Sequence, residues 1–113
     1  MITLEHAKAY LRVDSTYEEA LITALLASAE SICEDVARLT AEEWAAVYAG
    51  SEDTVTIRGE EYSELETECL RHLLDVAILY TVGYLYEHRE EADHHDMLLT
   101  LRNLLFAVRE GVM

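Results

Sequence analysis

The stretch SELETECLRHLLDVAILYTVGYLYEHR, residues 63–89, decides the fold. Ser63 followed by Glu66 is a capping box, in which hydroxyl and carboxylate satisfy each other's backbone donors and start a helix. No proline interrupts the run to Arg89, so the spacing predicts a helix from Glu64 to Arg89, about 39 Å long at 1.5 Å per residue. Leu65, Leu70, Leu73, Leu74, Ala77, Ile78, Val82 and Leu85 spread over more than one stripe, as expected of a helix packed on several sides. Gly83 weakens a helix interior by about 1 kcal/mol, which is tolerable where a neighbour must approach closely.

Working outward, the residues before this helix hold the one β-like stretch, Thr54-Val55-Thr56-Ile57, then Arg58-Gly59-Glu60 and Glu61-Tyr62. Alternation around a glycine predicts a short hairpin or extended arm over residues 54–62. Thr40 and Glu43 form another capping box, opening a helix to about Ala49 with Trp44, Val47 and Tyr48 as its apolar face. Before it, Ser15 and Glu18 read as a capping box for a helix to about Leu39, with Leu21, Leu25, Ala29, Ile32, Cys33 and Val36 as its core stripe. Thr3 caps a first short helix, Leu4 to Arg12, with Leu4, Ala7 and Leu11 inward. After the polar loop Glu90 to His95, a last helix runs from Asp96 to about Glu110. The expectation is one mostly α domain over residues 1–113: a small bundle of four to five helices with one hairpin.

The 113 residues carry 23 acidic and 8 basic side chains, a formal charge of −15, with 51% hydrophobic residues. That apolar content argues against acidic disorder. The charge argues against adhesion to nucleic acid or to anionic membranes, both of which rely on Lys and Arg. Residues 40–68 alone hold nine acids against Arg58, a net −8 and over half of the excess in a quarter of the chain. The N-terminal residues Met1 to Arg12 show no apolar signal-peptide core, and Val76 to Leu85 is far below the roughly 20 residues needed to cross a bilayer. The sequence reads as soluble and made in the cytoplasm, with Cys33 and Cys69 reduced and buried.

Candidate chemistry is sparse. Glu87, His88, Glu90, Glu91, Asp93, His94, His95 and Asp96 are the densest set of potential metal ligands. Most lie in a loop, however, where solvated charge explains them and no fixed ligand geometry is implied. Cys69 and His72 are three residues apart, compatible with a thiol–imidazole couple, yet lone helical cysteines mostly pack. Glycines 50, 59, 83 and 111 are scattered and make no phosphate loop. The reading is of a non-enzyme without catalytic, cofactor-binding or metal-binding residues. Aromatic residues are enriched at interfaces, and Trp44, Tyr48, Tyr80, Tyr84 and Tyr86 are the candidates. Core packing with hydroxyls reaching the surface suits Tyr80 and Tyr84. Tyr86 and the surplus apolar residues of the last helix, Leu104, Leu105, Phe106 and Val108, suit an interface.

Two stretches together resemble the head–tail connector (adaptor) family of long-tailed phages and prophages. One is MITLEHAK at residues 1–8 with Leu11-Arg12-Val13-Asp14, then Glu18-Glu19-Ala20-Leu21-Ile22 and Leu25-Leu26. The other is Leu79-Tyr80 to Leu85-Tyr86-Glu87-His88-Arg89-Glu90, with Leu104-Leu105 to Arg109 resembling the family's leucine-rich terminal helix. Residues 40–62 depart from the pattern, being more acidic and carrying the β-like stretch. The resemblance implies a structural virion protein at the head–tail junction. It implies a homo-oligomeric ring of about a dozen subunits beneath the portal protein, prolonging the DNA channel towards the tail. It further implies partners in the portal and a downstream connector or tail-completion protein, passage of DNA without specific binding, no cofactor and no membrane. In such a ring, the acids Glu42, Glu43, Glu52, Asp53, Glu60 and Glu61 are expected to face the channel or a neighbouring ring and repel phosphates. Val55, Ile57 and Tyr62 are expected to reach the next connector.

Two other classes fit parts of the sequence. An acidic DNA-mimic or antitoxin-like protein would use the −15 charge to block a basic partner. A small metal-dependent helical enzyme would use the region around His94 to Asp96.

Overall fold

The structure, a computed structural model, describes residues 2–14, 16–49, 54–88, 94–106 and 108. Five helices and a two-stranded antiparallel sheet make up these residues: α1 (Leu4–Leu11), α2 (Glu19–Ala37), α3 (Ala41–Tyr48), β1 (Val55–Ile57), β2 (Glu60–Tyr62), α4 (Glu64–Glu87) and α5 (His95–Leu104). The fold is the small helical bundle with a β-hairpin expected from the sequence. No helix among the described residues is long and apolar enough to cross a membrane.

Local chemistry accounts for most boundaries. Ser63 accepts from the Glu66 amide at 3.2 Å while the Glu66 carboxylate accepts from the Ser63 amide at 3.1 Å. Thr40 and Glu43 repeat the arrangement at 3.1 and 2.9 Å. Thr3 caps α1 by accepting from the His6 amide at 3.2 Å. The α2 start differs from expectation: Glu18 is the N-cap residue and contributes no side-chain bond, and Ser15 lies outside the described residues. α1 and α2 both end on an arginine in the left-handed region, Arg12 at φ 60° and Arg38 at φ 58°. In each, the following residue's amide folds back on the last turn, Val13 to Lys8 O at 2.9 Å and Leu39 to Glu34 O at 3.2 Å, a closure for which glycine is the usual residue.

The long helix α4 is the axis of the bundle. Leu70, Leu74, Ala77, Ile78, Val82 and Leu85 are buried on it, whereas Leu65 points to solvent at 70% exposure. Against it α2 buries Ile22, Leu26, Ala29, Cys33, Val36 and Ala37. Leu21 is exposed, and Leu25 and Ile32 are half-buried, so the first half of the core stripe lies one residue later than the spacing predicted. One residue is a 100° rotation. Leu21-Ile22 and Leu25-Leu26 offer two equally apolar stripes, and contact with α1 and α4 selects between them.

The hairpin is tight. Val55 pairs with Tyr62, Thr56 with Glu61 and Ile57 with Glu60, and Arg58 (φ 52°) and Gly59 (φ 83°) make the turn. Positive φ at both central residues is the type I′ geometry that suits the twist of a two-residue hairpin. Val55, Ile57 and Tyr62 are 6, 3 and 3% exposed. A two-stranded ribbon alone is marginal; this one persists because its inner face belongs to the core.

Candidate functional site

The functional residues expected from sequence fall at opposite ends of α4. At the hairpin end lie the C-terminus of α2, the N-termini of α3 and α4, and the end of the chain near Val108. Glu42, Glu60, Glu61, Glu64, Glu66 and Glu68 are all exposed there, while Glu52 and Asp53 lie outside the described residues. Glu43 is different. It is half-buried and accepts from the amides of Thr40 and Arg58, each at 2.9 Å. Those bonds, the Thr40 amide foremost, hold its carboxyl below the ordinary range. Glu43 therefore serves the fold, and the exposed acids among the described residues of 40–68 are the other six.

Arg58 organises this end, and sequence reasoning passed over it. Its guanidinium donates to Val108 O at 2.7 Å, Ala37 O at 2.8 Å and Arg38 O at 3.3 Å. It thus satisfies carbonyls at the end of α2, where a cation also complements the helix dipole. The available signal was its position: the sole base among nine acids in residues 40–68, directly before a glycine.

The interface expectations need correction. Leu105 and Val108 are 0% exposed, and Val55, Ile57 and Tyr62 are also buried within the chain's own core. None of these five is a surface residue of the monomer. Half of the apolar surplus expected in the last helix, Leu105 and Val108, is taken up by the chain's own core. Phe106 remains outward at 55% exposure, Leu104 is half-buried, and Tyr86 is half-buried with its hydroxyl donating to Glu18 Oε2.

At the other end, a cleft of about 510 Å³ opens between the end of α1 and the last turns of α4. Tyr10, Arg12, Tyr80, Gly83, Tyr84 and His88 are among its walls. Gly83 makes it possible: a Cβ there would sit 3.0 Å from Tyr10 Cε1, the close neighbour that a helical glycine implied. His88 stacks on Tyr84 with ring centroids 4.1 Å apart, and His94 meets the same ring edge-on at 5.8 Å. His88 Nδ1 lies 2.9 Å from Tyr84 O. His94 Nδ1 is buried with no hydrogen-bond partner among the described residues.

Chemistry beyond this is limited. Among the described residues, no group of three or more His, Cys, Asp and Glu side chains is placed to hold a metal ion; residues 89–93, with Glu90, Glu91 and Asp93, lie outside them. Cys69 is exposed, against expectation, as is its neighbour His72. Cys33 is buried, and burial pushes its thiol up to about 11. It lies 3.6 Å from Thr81 Oγ1. Since that hydroxyl already donates to Ala77 O at 2.8 Å, the thiol is the donor of the pair.

Comparison with protein-family models, with curated proteins and with solved structures finds no significant match to this chain.

Proposed function

We propose that this chain is a head–tail connector subunit of a long-tailed phage or prophage, assembling into a ring beneath the portal and lining part of the DNA channel. The observation that carries the reading is the concentration of exposed carboxylates, Glu42, Glu60, Glu61, Glu64, Glu66 and Glu68, at one end of an otherwise apolar-cored helical scaffold. A ring that presents this end to its lumen repels phosphates, so DNA passes without sticking. The resemblance at Leu11 to Asp14 and at Leu85 to Glu90 supports the same assignment. In this reading the protein acts by shape and charge, in the virion, without a catalytic step or cofactor. Of the expected residues Phe106 and Leu104 remain, together with exposed Leu99 on α5, for contact with a neighbour or the portal.

Co-expression with the cognate portal, followed by particle imaging, tests the reading; co-purifying rings are expected. Glu60→Lys, Glu61→Lys, Glu64→Lys and Glu68→Lys together should make assembled rings retain DNA in a salt-sensitive manner. A small species that binds a basic protein in competition with DNA, and never the portal, would replace the connector with an acidic DNA mimic.

A further inference from the structure

We propose that the outward face of α4 is self-complementary and pairs, antiparallel, with the same face of a second copy of this chain. Leu65, Cys69, His72, Val76, Leu79 and Gly83 are spaced alternately four and three residues apart, the period of a seam between two helices. The first four are exposed, Leu65 to 70% and Val76 to 55%, while α2, α3 and α5 pack on the buried sides of the helix and α1 meets the end of the stripe, where Tyr10 lies against Gly83. Over Leu65, Cys69, His72 and Val76 this is a stripe of two-helix spacing left exposed by the described residues.

The two ends of the stripe match each other. At its start, Leu65 is exposed with Glu64 and Glu68 beside it on the helix, both exposed as well. At its end lies the cleft floored by Gly83 and walled by Tyr10, Tyr80 and Tyr84. Arg12 is exposed on its rim with no ion-pair partner among the described residues; His88 lines the same cleft, and Glu87 is the one acid among its described lining residues. Leu65 and Gly83 are 18 residues apart, about 27 Å along the helix. An antiparallel pair that seats Leu65 of each copy in the other's cleft brings Val76 close to the two-fold axis. It also sets Glu64 and Glu68 of one copy towards Arg12 of the other, so both ends are satisfied at once, as an isologous contact requires. Repulsion between two chains of charge −15 is screened beyond about 8 Å at physiological salt.

Sedimentation equilibrium of the full chain at about 0.01–0.5 mM in physiological salt should show a monomer–dimer equilibrium. Val76→Glu should weaken it at least about tenfold, since it places like charges together at the axis; circular dichroism verifies that the variant is folded. Arg12→Glu should also weaken it, and Glu64→Lys with Glu68→Lys should restore association to that variant. In a Cys69→Ser background, a short bismaleimide should link Val76→Cys to its mate and should fail to link Leu65→Cys. A monomer at all concentrations overturns the proposal. So does a dimer indifferent to Val76→Glu, or one cross-linked through Leu65→Cys. Glu64 and Glu68 meet Arg12 in this pair and face the lumen in the ring, so the pair describes the free protein; ring formation with the portal is scored separately, and the connector assignment stands or falls on its own experiment.

Discussion

Arg58 donates from Nη1 to the carbonyl oxygen of Val108 at 2.7 Å, joining the hairpin turn to the far end of the chain across fifty residues. The same guanidinium holds Ala37 O at 2.8 Å, so one side chain ties the end of α2 to the segment that follows α5. Three arginines, at positions 12, 38 and 58, occupy left-handed backbone, a region that costs a residue with a Cβ about 1–2 kcal/mol.

Arg38 and Arg58 should consequently respond to glycine in opposite senses. Arg38→Gly relieves backbone strain, and its guanidinium is not part of the clamp, so stability should rise by about 1 kcal/mol. Arg58→Gly relieves the same strain but deletes charge-assisted bonds to backbone carbonyls, each contributing about 1.5–3 kcal/mol. Because Arg58 is exposed, water replaces part of each bond, and a net loss of about 1–3 kcal/mol is expected. Urea denaturation followed by circular dichroism measures both. An Arg58→Gly variant stabilised as much as Arg38→Gly would mean that the clamp adds nothing to stability.

Leu105 and Phe106 are neighbours with opposite exposures, 0% and 55%. Leu105→Ala should cost about 2–5 kcal/mol, whereas Phe106→Ala should change stability by about 0.5 kcal/mol or less. Cutting the chain after Asn103 should lower the thermal midpoint steeply, because Leu105, Val108 and the acceptor for Arg58 leave together. A truncated chain that melts like the parent would contradict the observed core.

Much of this fold was legible because its signals are local. Ser63 with Glu66 and Thr40 with Glu43 each fix a helix start within four residues, and a short alternating run ending at Gly59 marks the hairpin. The phase of α2 was not legible, since Leu21-Ile22 and Leu25-Leu26 supply two stripes of equal hydropathy and only tertiary contact distinguishes them. The burial of Val55, Ile57, Tyr62, Leu105 and Val108 was hidden for a related reason. Counting apolar residues against a four-helix core leaves a surplus unless the hairpin is known to lie on that core. Gly83 foretold a close neighbour, though not that Tyr10 would supply it and leave a cleft alongside.

The two thiols should separate cleanly. Cys69 is exposed, whereas Cys33 is buried with its pKa pushed up to about 11. The thiolate is the reactive species, so at neutral pH one thiol should react rapidly with a disulfide reagent and the second only on unfolding. Cys69→Ser should abolish the rapid phase. Two rapid equivalents in the native protein would mean that the region around Cys33 opens freely.

Acid should weaken the hairpin end through Glu43. Its folded pKa is depressed by the Thr40 amide above all, then by Arg58. A depressed carboxyl contributes stability above its unfolded value of about 4.3, and that contribution is lost as pH falls through the folded value. Glu66 is lowered for the same reason by Ser63, whereas Glu30, raised by burial, works in the opposite sense as pH rises through its own range. The parent should therefore lose stability below about pH 4, and Glu43→Gln should flatten that slope while being less stable at neutral pH. An unchanged slope in Glu43→Gln would show that its bonds do not survive in solution.

Gly83→Ala sets helix propensity against space. Alanine in place of a helix-interior glycine contributes about 0.5–1 kcal/mol. The added Cβ would lie 3.0 Å from Tyr10 Cε1, closer than atoms in contact prefer. What gives way decides the sign, and here it is a side chain at 51% exposure near the end of a short helix. Tyr10 can swing outward at little cost, so Gly83→Ala should be neutral to about 1 kcal/mol more stable, with a changed Tyr10 ring signal in the NMR spectrum. Gly83→Leu, which cannot be accommodated by a small shift, should fill the cleft and displace the ring altogether. A loss of more than about 1 kcal/mol in Gly83→Ala would mean that Tyr10 is held in place. The cleft would then be a rigid feature of the bundle, with walls that do not yield to a single methyl group.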